Sequence, residues 1–421
     1  MGINLPDEII LEIILCLPIK SLMRFRCVNK TWLQLFTTDP QFAQLYLNKS
    51  NRKNTTILAI RYELQQFQHK PLVYSSAVNI RSECDKVAVP LELPFYRGGT
   101  YSYLIGGIRN GLVLVNLDDD KKKLFIWNPL TNDYIDIPYP PTTNHFPRCD
   151  EIRGFGFGLI QATNQYKVIR FCDCKYRHFD EGVKKSHVSV YTLGIDSSWR
   201  NLKDISYYSI FRDCTAPLVN GVIHWNAFTG SNFIDDKRIL SFDMKDEIFG
   251  EIPHPKHINA NYPESFYDSV GELDGLLCML GRDCGENIQV WVMQEYGVAN
   301  SWTKQFTIGR PDICGSFTTL QPIIVPQKEK TLPKTSILID TITPLQLILY
   351  DPETNSVTNL KEFGLHLKEA FNYTPSLISP RVISGNGDLL AVRRKASTPK
   401  SHLTWSYQWS YDSLFCDNKY T

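Results

Sequence analysis

Cys172-Asp173-Cys174, followed by His178 and His187, holds the donor types of a zinc site. Such sites usually begin with a paired Cys-x-x-Cys spacing, which is missing here, and in a strand residues 172 and 174 simply share a face. Gly154-Phe155-Gly156-Phe157-Gly158 has the glycine density of a phosphate loop. No Lys-Ser/Thr follows it and no strand-to-helix passage is evident, so it reads as a tight glycine-rich strand turn. Pro253 and Pro255 keep His254 and His257 off a helix and leave them in a loop. The 9 histidines are spread widely, with no nucleophile–base pairing, no His-Glu-x-x-His, no Gly-x-Ser-x-Gly and no P-loop. Asp118-Asp119-Asp120-Lys121-Lys122-Lys123 carries charges that could hold a cation or a partner, and reads as a solvated hairpin tip. The expectation is a chain with no catalytic residue, no metal site and no cofactor.

The elements that would position any site fall into two parts. Across 421 residues, 45 Lys and Arg face 44 Asp and Glu, so bulk charge favours neither nucleic acid nor a membrane surface. The richest apolar run, IILEIILCL, is broken by Glu12, stops at Pro18, and falls short of the ~18 residues a membrane helix needs. The first residues read as neither a secretion signal nor a myristoylation site. Eleven scattered cysteines then favour reduced thiols in the cytoplasm or nucleus.

Residues 5 to 47 punctuate themselves as three or four short helices. Pro6 with Asp7 and Glu8 suits a first turn, and Ile9, Ile13 and Leu17 share a face that Ile10 and Ile14 widen. Pro18 ends this helix, and Ser21 to Val28 reads as a second with Leu22, Phe25 and Val28 at helical spacing. Asn29 or Thr31 starts a third around Trp32, and Asp39-Pro40 caps a fourth. Helices this short are individually marginal, and about 45 residues cannot comfortably bury a core of their own. Their apolar faces need cover. Between residues 18 and 53 the basic residues Lys20, Arg24, Arg26, Lys30, Lys49, Arg52 and Lys53 face one acid, Asp39, which suits an acidic partner. The other reading is that the helices cap the following domain and the charges are a solvated face.

From about residue 55 short apolar runs alternate with turn residues. Asn110-Gly111, Asn220-Gly221 and Asp274-Gly275 each precede a strand, with Gly387-Asp388 a looser fourth. Trp127, Tyr191, Phe242, Trp291 and Tyr350 recur at separations of 64, 51, 49 and 59 residues. That period, with strand-turn-strand content, predicts a kelch-like propeller of roughly six to eight blades. Trp291 and Met293 alternate with Val290 and Val292, the pattern of a strand covered on both faces. Trp405, Tyr407, Trp409 and Tyr411 alternate with polar residues and predict a strand with one wet side, or an exposed binding strip.

Leu5-Pro6-Asp7-Glu8, Leu17-Pro18-Ile19-Lys20-Ser21-Leu22 and Arg26-Cys27-Val28-Asn29-Lys30-Thr31-Trp32 together resemble the F-box in its plant form. Phe125 to Thr131, Gly154 to Gly158 with Tyr166 to Ile169, Ser198-Trp199-Arg200, and Val290 to Val298 with Ser301 to Lys304 resemble the plant F-box-associated domain. Some of these markers are also similar to S-locus F-box proteins, pollen receptors that recognise pistil ribonucleases. The resemblance implies an F-box over residues 1–48, an F-box-associated β-propeller over 55–421, and a mainly β protein. It implies a non-catalytic substrate receptor that docks on a Skp-type adaptor and through it on cullin and RING subunits, presenting a protein target, such as a secreted-type ribonuclease, for ubiquitination. Carried over by position, Leu5, Pro6, Ile9, Ile13, Leu17, Pro18, Leu22, Val28 and Trp32 form the docking surface or its immediate support. Trp32 would be the natural anchor, or would hold the helices together without touching the adaptor. Two alternatives stand beside this: a basic helix-turn-helix regulator built on Lys20 to Trp32, and a propeller enzyme or sugar-binding protein with its site in the central channel.

Overall fold

The structure is a computed structural model. It describes residues 5–50, 56–65, 68–77, 89–91, 93–95, 102–118, 122–140, 152–173, 186–207, 216–228, 237–255, 269–282, 287–309, 317–325, 334–341, 347–351, 354, 356–359 and 367–385.

Four helices come first: α1 (Asp7–Cys16), α2 (Ile19–Phe25), α3 (Lys30–Thr37) and α4 (Pro40–Ser50). Their ends follow from single residues. Pro6 is the N-cap of α1, and its carbonyl accepts the Ile9 and Ile10 amides at 3.0 and 3.1 Å. Pro18 caps α2 in the same way, so that helix starts at Ile19 and stops at Phe25 instead of running over Ser21 to Val28. Asn29 Oδ1 accepts the Trp32 amide at 2.8 Å to open α3, and Asp39 Oδ1 accepts the Gln41 and Phe42 amides at 2.9 and 3.0 Å to open α4.

The remainder is six four-stranded antiparallel sheets among the described residues, within the range the repeats predict. In the first, β24 (Leu367–Tyr373) lies beside β1 (Thr56–Gln65), then β2 (Gln68–Ala77) and β3 (Val89–Leu91). The second holds β4 (Ser102–Arg109), β5 (Leu112–Asp118), β6 (Lys123–Asn128) and β7 (Asp133–Ile137); the third, β8 (Ile152–Ile160), β9 (Gln165–Asp173), β10 (Ser186–Thr192) and β11 (Arg200–Asn201). The fourth holds β12 (Leu218–Val219), β13 (Val222–Phe228), β14 (Lys237–Asp243) and β15 (Phe249–Ile252). The fifth is β16 (Ser269–Leu273), β17 (Leu276–Arg282), β18 (Ile288–Met293) and β19 (Trp302–Ile308), and the sixth β20 (Phe317–Val325), β21 (Lys334–Thr341), β22 (Leu347–Asp351) and β23 (Ser356–Asn359). The last strand among the described residues thus completes the first sheet: β24 pairs with β1 from Thr56↔Tyr373 to Arg61↔Leu367, which closes the ring. The five recurring aromatics Trp127, Tyr191, Phe242, Trp291 and Tyr350 sit on β6, β10, β14, β18 and β22, the third strand of each of five blades.

Blades pack face to face. Val290 and Val292 join Tyr350 of the sixth blade in one cluster, while Trp291 and Met293 join Val219, Ile239 and Ile252 of the fourth in another. The glycine run is not a turn: residues 154–158 lie inside β8, against the neighbouring blade. A Cβ on Gly156 would stand 2.5 Å from Trp225 Cζ2 and 2.6 Å from Ile169 Cγ2. These glycines make room for side chains. A second set of tryptophans, which the repeat reading missed, ties blades by hydrogen bonds: Trp199 Nε1 donates to the Pro138 carbonyl at 2.6 Å and Trp302 Nε1 to that of Pro253 at 2.8 Å. The turn dipeptides are as expected, with Asn110, Asn220 and Asp274 at φ 51, 52 and 51° and glycine next in each.

The helices and the ring share one hydrophobic core. Ile14, Leu15, Leu22, Phe36, Phe42, Ala43, Tyr46 and Leu47 belong to the same cluster as Leu112, Leu114, Ile126, Phe155, Phe157 and Tyr166 of the second and third blades, and as Leu377 and Ile378 beyond β24. Of the two readings of the apolar faces, the structure shows the cap for the inner one, which is covered by the chain's own β-domain. Gly387-Asp388 and Trp405 to Tyr411 lie outside the described residues.

Candidate protein-docking site

Strand alternation fixes which end of the ring the helices occupy. In the second to sixth blades the first strand ends and the second begins at one end, as do the third and fourth; the second strand ends, and the chain leaves for the next blade, at the other. β1 enters and β24 leaves at the first end. Thr37 to Gln44 of the helices line one crevice there with Asn164 and Tyr166 of the β8–β9 turn.

With the inner face so rooted, the outer face shows the site. Leu5, Ile9 and Ile13, four residues apart, are 50, 48 and 50 % exposed, and Val28 is 60 % exposed. Large aliphatic side chains left this wet in a helical stripe are an unusual feature of a lone surface. Pro6 and Pro18 are also exposed, Leu17 and Trp32 are half-buried, and Leu22 is fully buried. The nine residues singled out by position therefore divide: Leu22 can only support, and Leu5, Pro6, Ile9, Ile13, Pro18 and Val28 are available for contact. Leu45 on α4 is a further exposed aliphatic side chain of the module, at 50 %.

Trp32 is one rung of an aromatic ladder, between Phe25 and Phe36. Its ring centroid is 5.5 Å from Phe25 and 5.9 Å from Phe36; Phe36 lies 5.3 Å from Phe42, and Phe42 6.3 Å from Tyr46. Tyr46 donates its hydroxyl to the Leu17 carbonyl at 2.8 Å, and burial pushes that hydroxyl up to about 12. On the surface, Lys49 Nζ meets Glu12 Oε2 at 2.6 Å, and this hydrogen bond raises the lysine and ties α4 to α1. The stripe thus rides on a braced helix pair.

Among the described residues, those weighed for other chemistry are not brought together as a site. Cys172 is buried and lies opposite His187 in the ladder, but His187 Nδ1 faces Asp204 Oδ1 at 2.5 Å, and Cys174 and His178 fall outside the described residues. Among the described residues no three His, Cys, Asp or Glu side chains group as metal ligands. His254 lies in the link after β15, and His257 is outside the described residues. The 118–123 run joins the paired strands β5 and β6, with residues 119–121 outside the described set. No helix among the described residues is long and apolar enough to cross a membrane.

Comparison with known families agrees with this arrangement. The F-box domain family matches residues 3–43, and the F-box associated beta propeller domain family matches residues 70–380. The chain belongs to the F-box proteins with an F-box associated propeller. This F-box protein is 26 % identical over 411 residues to the F-box protein CPR1 of Arabidopsis thaliana, covering 93 % of this chain and 91 % of the relative. It is 29 % identical over 318 residues to an F-box/kelch-repeat protein of the same plant, covering 72 % and 79 %. Among solved structures, a fucose-specific lectin from Aleuria aurantia is similar at 9 % identity and a TM-score of 0.36, covering 74 % of this chain and 95 % of that one. Nothing about sugar binding is carried over from so distant a likeness.

Proposed function

We propose that this protein is the substrate-recognition subunit of an SCF-type ubiquitin ligase, non-catalytic in itself and working in the cytoplasm or nucleus. Its helices dock on a Skp-type adaptor that brings cullin and RING subunits, and its propeller presents a protein target. The working division is residues 1–48 for docking and 55–421 for recognition. The single observation that carries the reading is the set of exposed aliphatic residues Leu5, Ile9, Ile13 and Val28 on a module whose inner face is already satisfied. A second helical protein laying an apolar groove over such residues is the ordinary way to bury them.

Recognition belongs to the far end of the ring. The near end holds the helices, while strands β7, β9, β11 and β15 finish, and β8, β10, β12 and β16 start, at the opposite end by strand direction. A target held there is kept at high effective concentration near the activated ubiquitin, and no residue of this chain touches the reacting bond. A pistil ribonuclease of the kind S-locus F-box receptors recognise is one target class to test.

The test is capture of purified Skp-type adaptor by the full chain and by an Ile9→Asp/Ile13→Asp variant. Binding by the first and loss by the second is expected. No binding by the unaltered chain overturns the receptor reading. Deleting residues 1–48 is a poorer test, because it would strip the cover from Leu112, Leu114 and Phe157.

A further inference from the structure

After β24 the chain does not stop at the ring but returns across its helix-bearing end. Asn128, fully buried, donates Nδ2 to the carbonyls of Ser376 and Ile378 at 3.0 and 2.8 Å, and its Oδ1 accepts the Leu130 amide at 2.9 Å. The Ser376 hydroxyl donates to the Asn110 carbonyl at 2.5 Å, and a Cβ on Gly111 would meet that same hydroxyl at 2.5 Å. Farther along, in the short helix α5 (Pro380–Ile383) and the residue before it, Asp133 is gripped twice: its Oδ2 accepts the Ser379 hydroxyl and its Oδ1 accepts Arg381 Nε at 2.5 Å. The Arg381 guanidinium also lies 5.8 Å from the centre of the Tyr134 ring. Asp133 and Arg381 are 12 and 25 % exposed, so solvent screens this pair less than an open surface pair.

The same segment touches the helices on its other side. Leu377 and Ile378 share the core cluster with Phe42, Ala43 and Tyr46, and Leu377 to Ile383 line one crevice with Thr37 to Gln44. Residues 374–379 are neither strand nor helix, so this segment can be loosened without unpairing a blade.

We infer that residues 376–383 form a strap that fixes the pose of the adaptor-docking helices on the ring, and that Asp133 and Arg381 are positioning residues for ubiquitin transfer. The transfer half of this inference rests on the receptor reading; the strap itself does not. An apolar contact alone is non-directional and leaves a short helical module free to rock. The ion pair and the buried Asn128 amide hold the strap itself at one place on the second blade, which fixes where the apolar wall of Leu377 and Ile378 meets the helices. Geometry at a distance then governs transfer, because a target lysine must meet the activated ubiquitin at a fixed place.

The experiment uses the full chain with adaptor, cullin and RING subunits. Asp133→Arg and Arg381→Asp are compared with the double swap carrying both. Each single variant is expected to keep adaptor binding, to speed amide hydrogen exchange in α4 at least tenfold while strands β5 and β9 keep their protection, and to change which ring lysines become self-ubiquitinated. The double swap is expected to restore both readouts. Exchange in α4 unchanged in both single variants overturns the strap, and so does a double swap that stays as loose as the singles. If the reversed charges unfold the chain, Ser379→Ala with Arg381→Gln removes the grip without adding charge, and the same loosening is required. Absence of any ubiquitin transfer by the unaltered chain would count against the receptor reading, while exchange in α4 still decides the strap.

Discussion

Replacing Ile13 with glutamate separates docking from folding. Ile13 is 50 % exposed, so the fold has little to lose, and a substitution at such a site costs about 0.5 kcal/mol or less. The complex has much to lose. Fully burying a side chain of this size contributes ~1.5–3 kcal/mol, so covering the exposed half of Leu5, Ile9 and Ile13 contributes ~1 kcal/mol each, or ~3 kcal/mol together. An Ile13 carboxylate replacement forfeits one such share and adds the cost of an unpaired charge, a further few kcal/mol. The sum predicts adaptor affinity weakened by at least ~100-fold, at ~1.4 kcal/mol per decade. Leu22→Ala is the counterpart: Leu22 is 0 % exposed, and its truncation costs ~2–5 kcal/mol of stability with no docking contact removed. Isothermal titration with adaptor, beside thermal unfolding of each variant, gives both numbers. An Ile13→Glu chain that melts normally and binds at full strength would refute the assignment of the α1 stripe as the contact surface.

Gly156→Ala forces a methyl to within 2.5 Å of Trp225 Cζ2 and should cost ~1–3 kcal/mol, read as a lowered melting temperature. Trp302→Phe removes the indole N–H held at 2.8 Å by the Pro253 carbonyl and should lose ~1–3 kcal/mol in urea unfolding with the slope unchanged. His224, buried with Nε2 2.7 Å from the Tyr296 hydroxyl, is pushed down from 6.5 to about 4 by desolvation. The unfolded chain therefore binds this proton first, and stability falls as pH drops from 6.5 towards 4, by up to a few kcal/mol. A His224→Gln chain should lack that part of the acid sensitivity when denaturation midpoints are compared across the same window.

Local chemistry was legible in the sequence wherever one residue decides a local geometry. Pro6, Asn29 and Asp39 marked helix starts because a cap acts within three residues, and Asn110-Gly111 marked a hairpin because the left-handed backbone suits that pair. Trp127, Tyr191, Phe242, Trp291 and Tyr350 announced the blades because the third strand is packed between neighbours each time. The glycine run was misread as a turn because much of its reason lies in another blade: Trp225 and Met244 across the interface, with Ile169 on the paired strand, explain why residues 156 and 158 carry no side chain. Tryptophans 199 and 302 marked the family resemblance, but their role between blades was hidden for the same reason, since their carbonyl partners are 61 and 49 residues away.

The sequence by itself determined the parts list: a short helical module with proline and aspartate punctuation, a family of turn-strand repeats, and a set of apolar residues at helical spacing. Those are properties of neighbours along the chain. Tertiary structure alone decided which face of the module is spent on the ring and which is left for a partner, because Ile13 and Ile14 are equally apolar, yet one is 50 % exposed and the other 3 %. It also decided that β24 closes the ring and that residues 376–383 return to grip the second blade. Contacts between positions some 250 residues apart, such as Asn128 with Ser376, leave no mark in local pattern, since their energy comes from where folding brings the two ends of the chain.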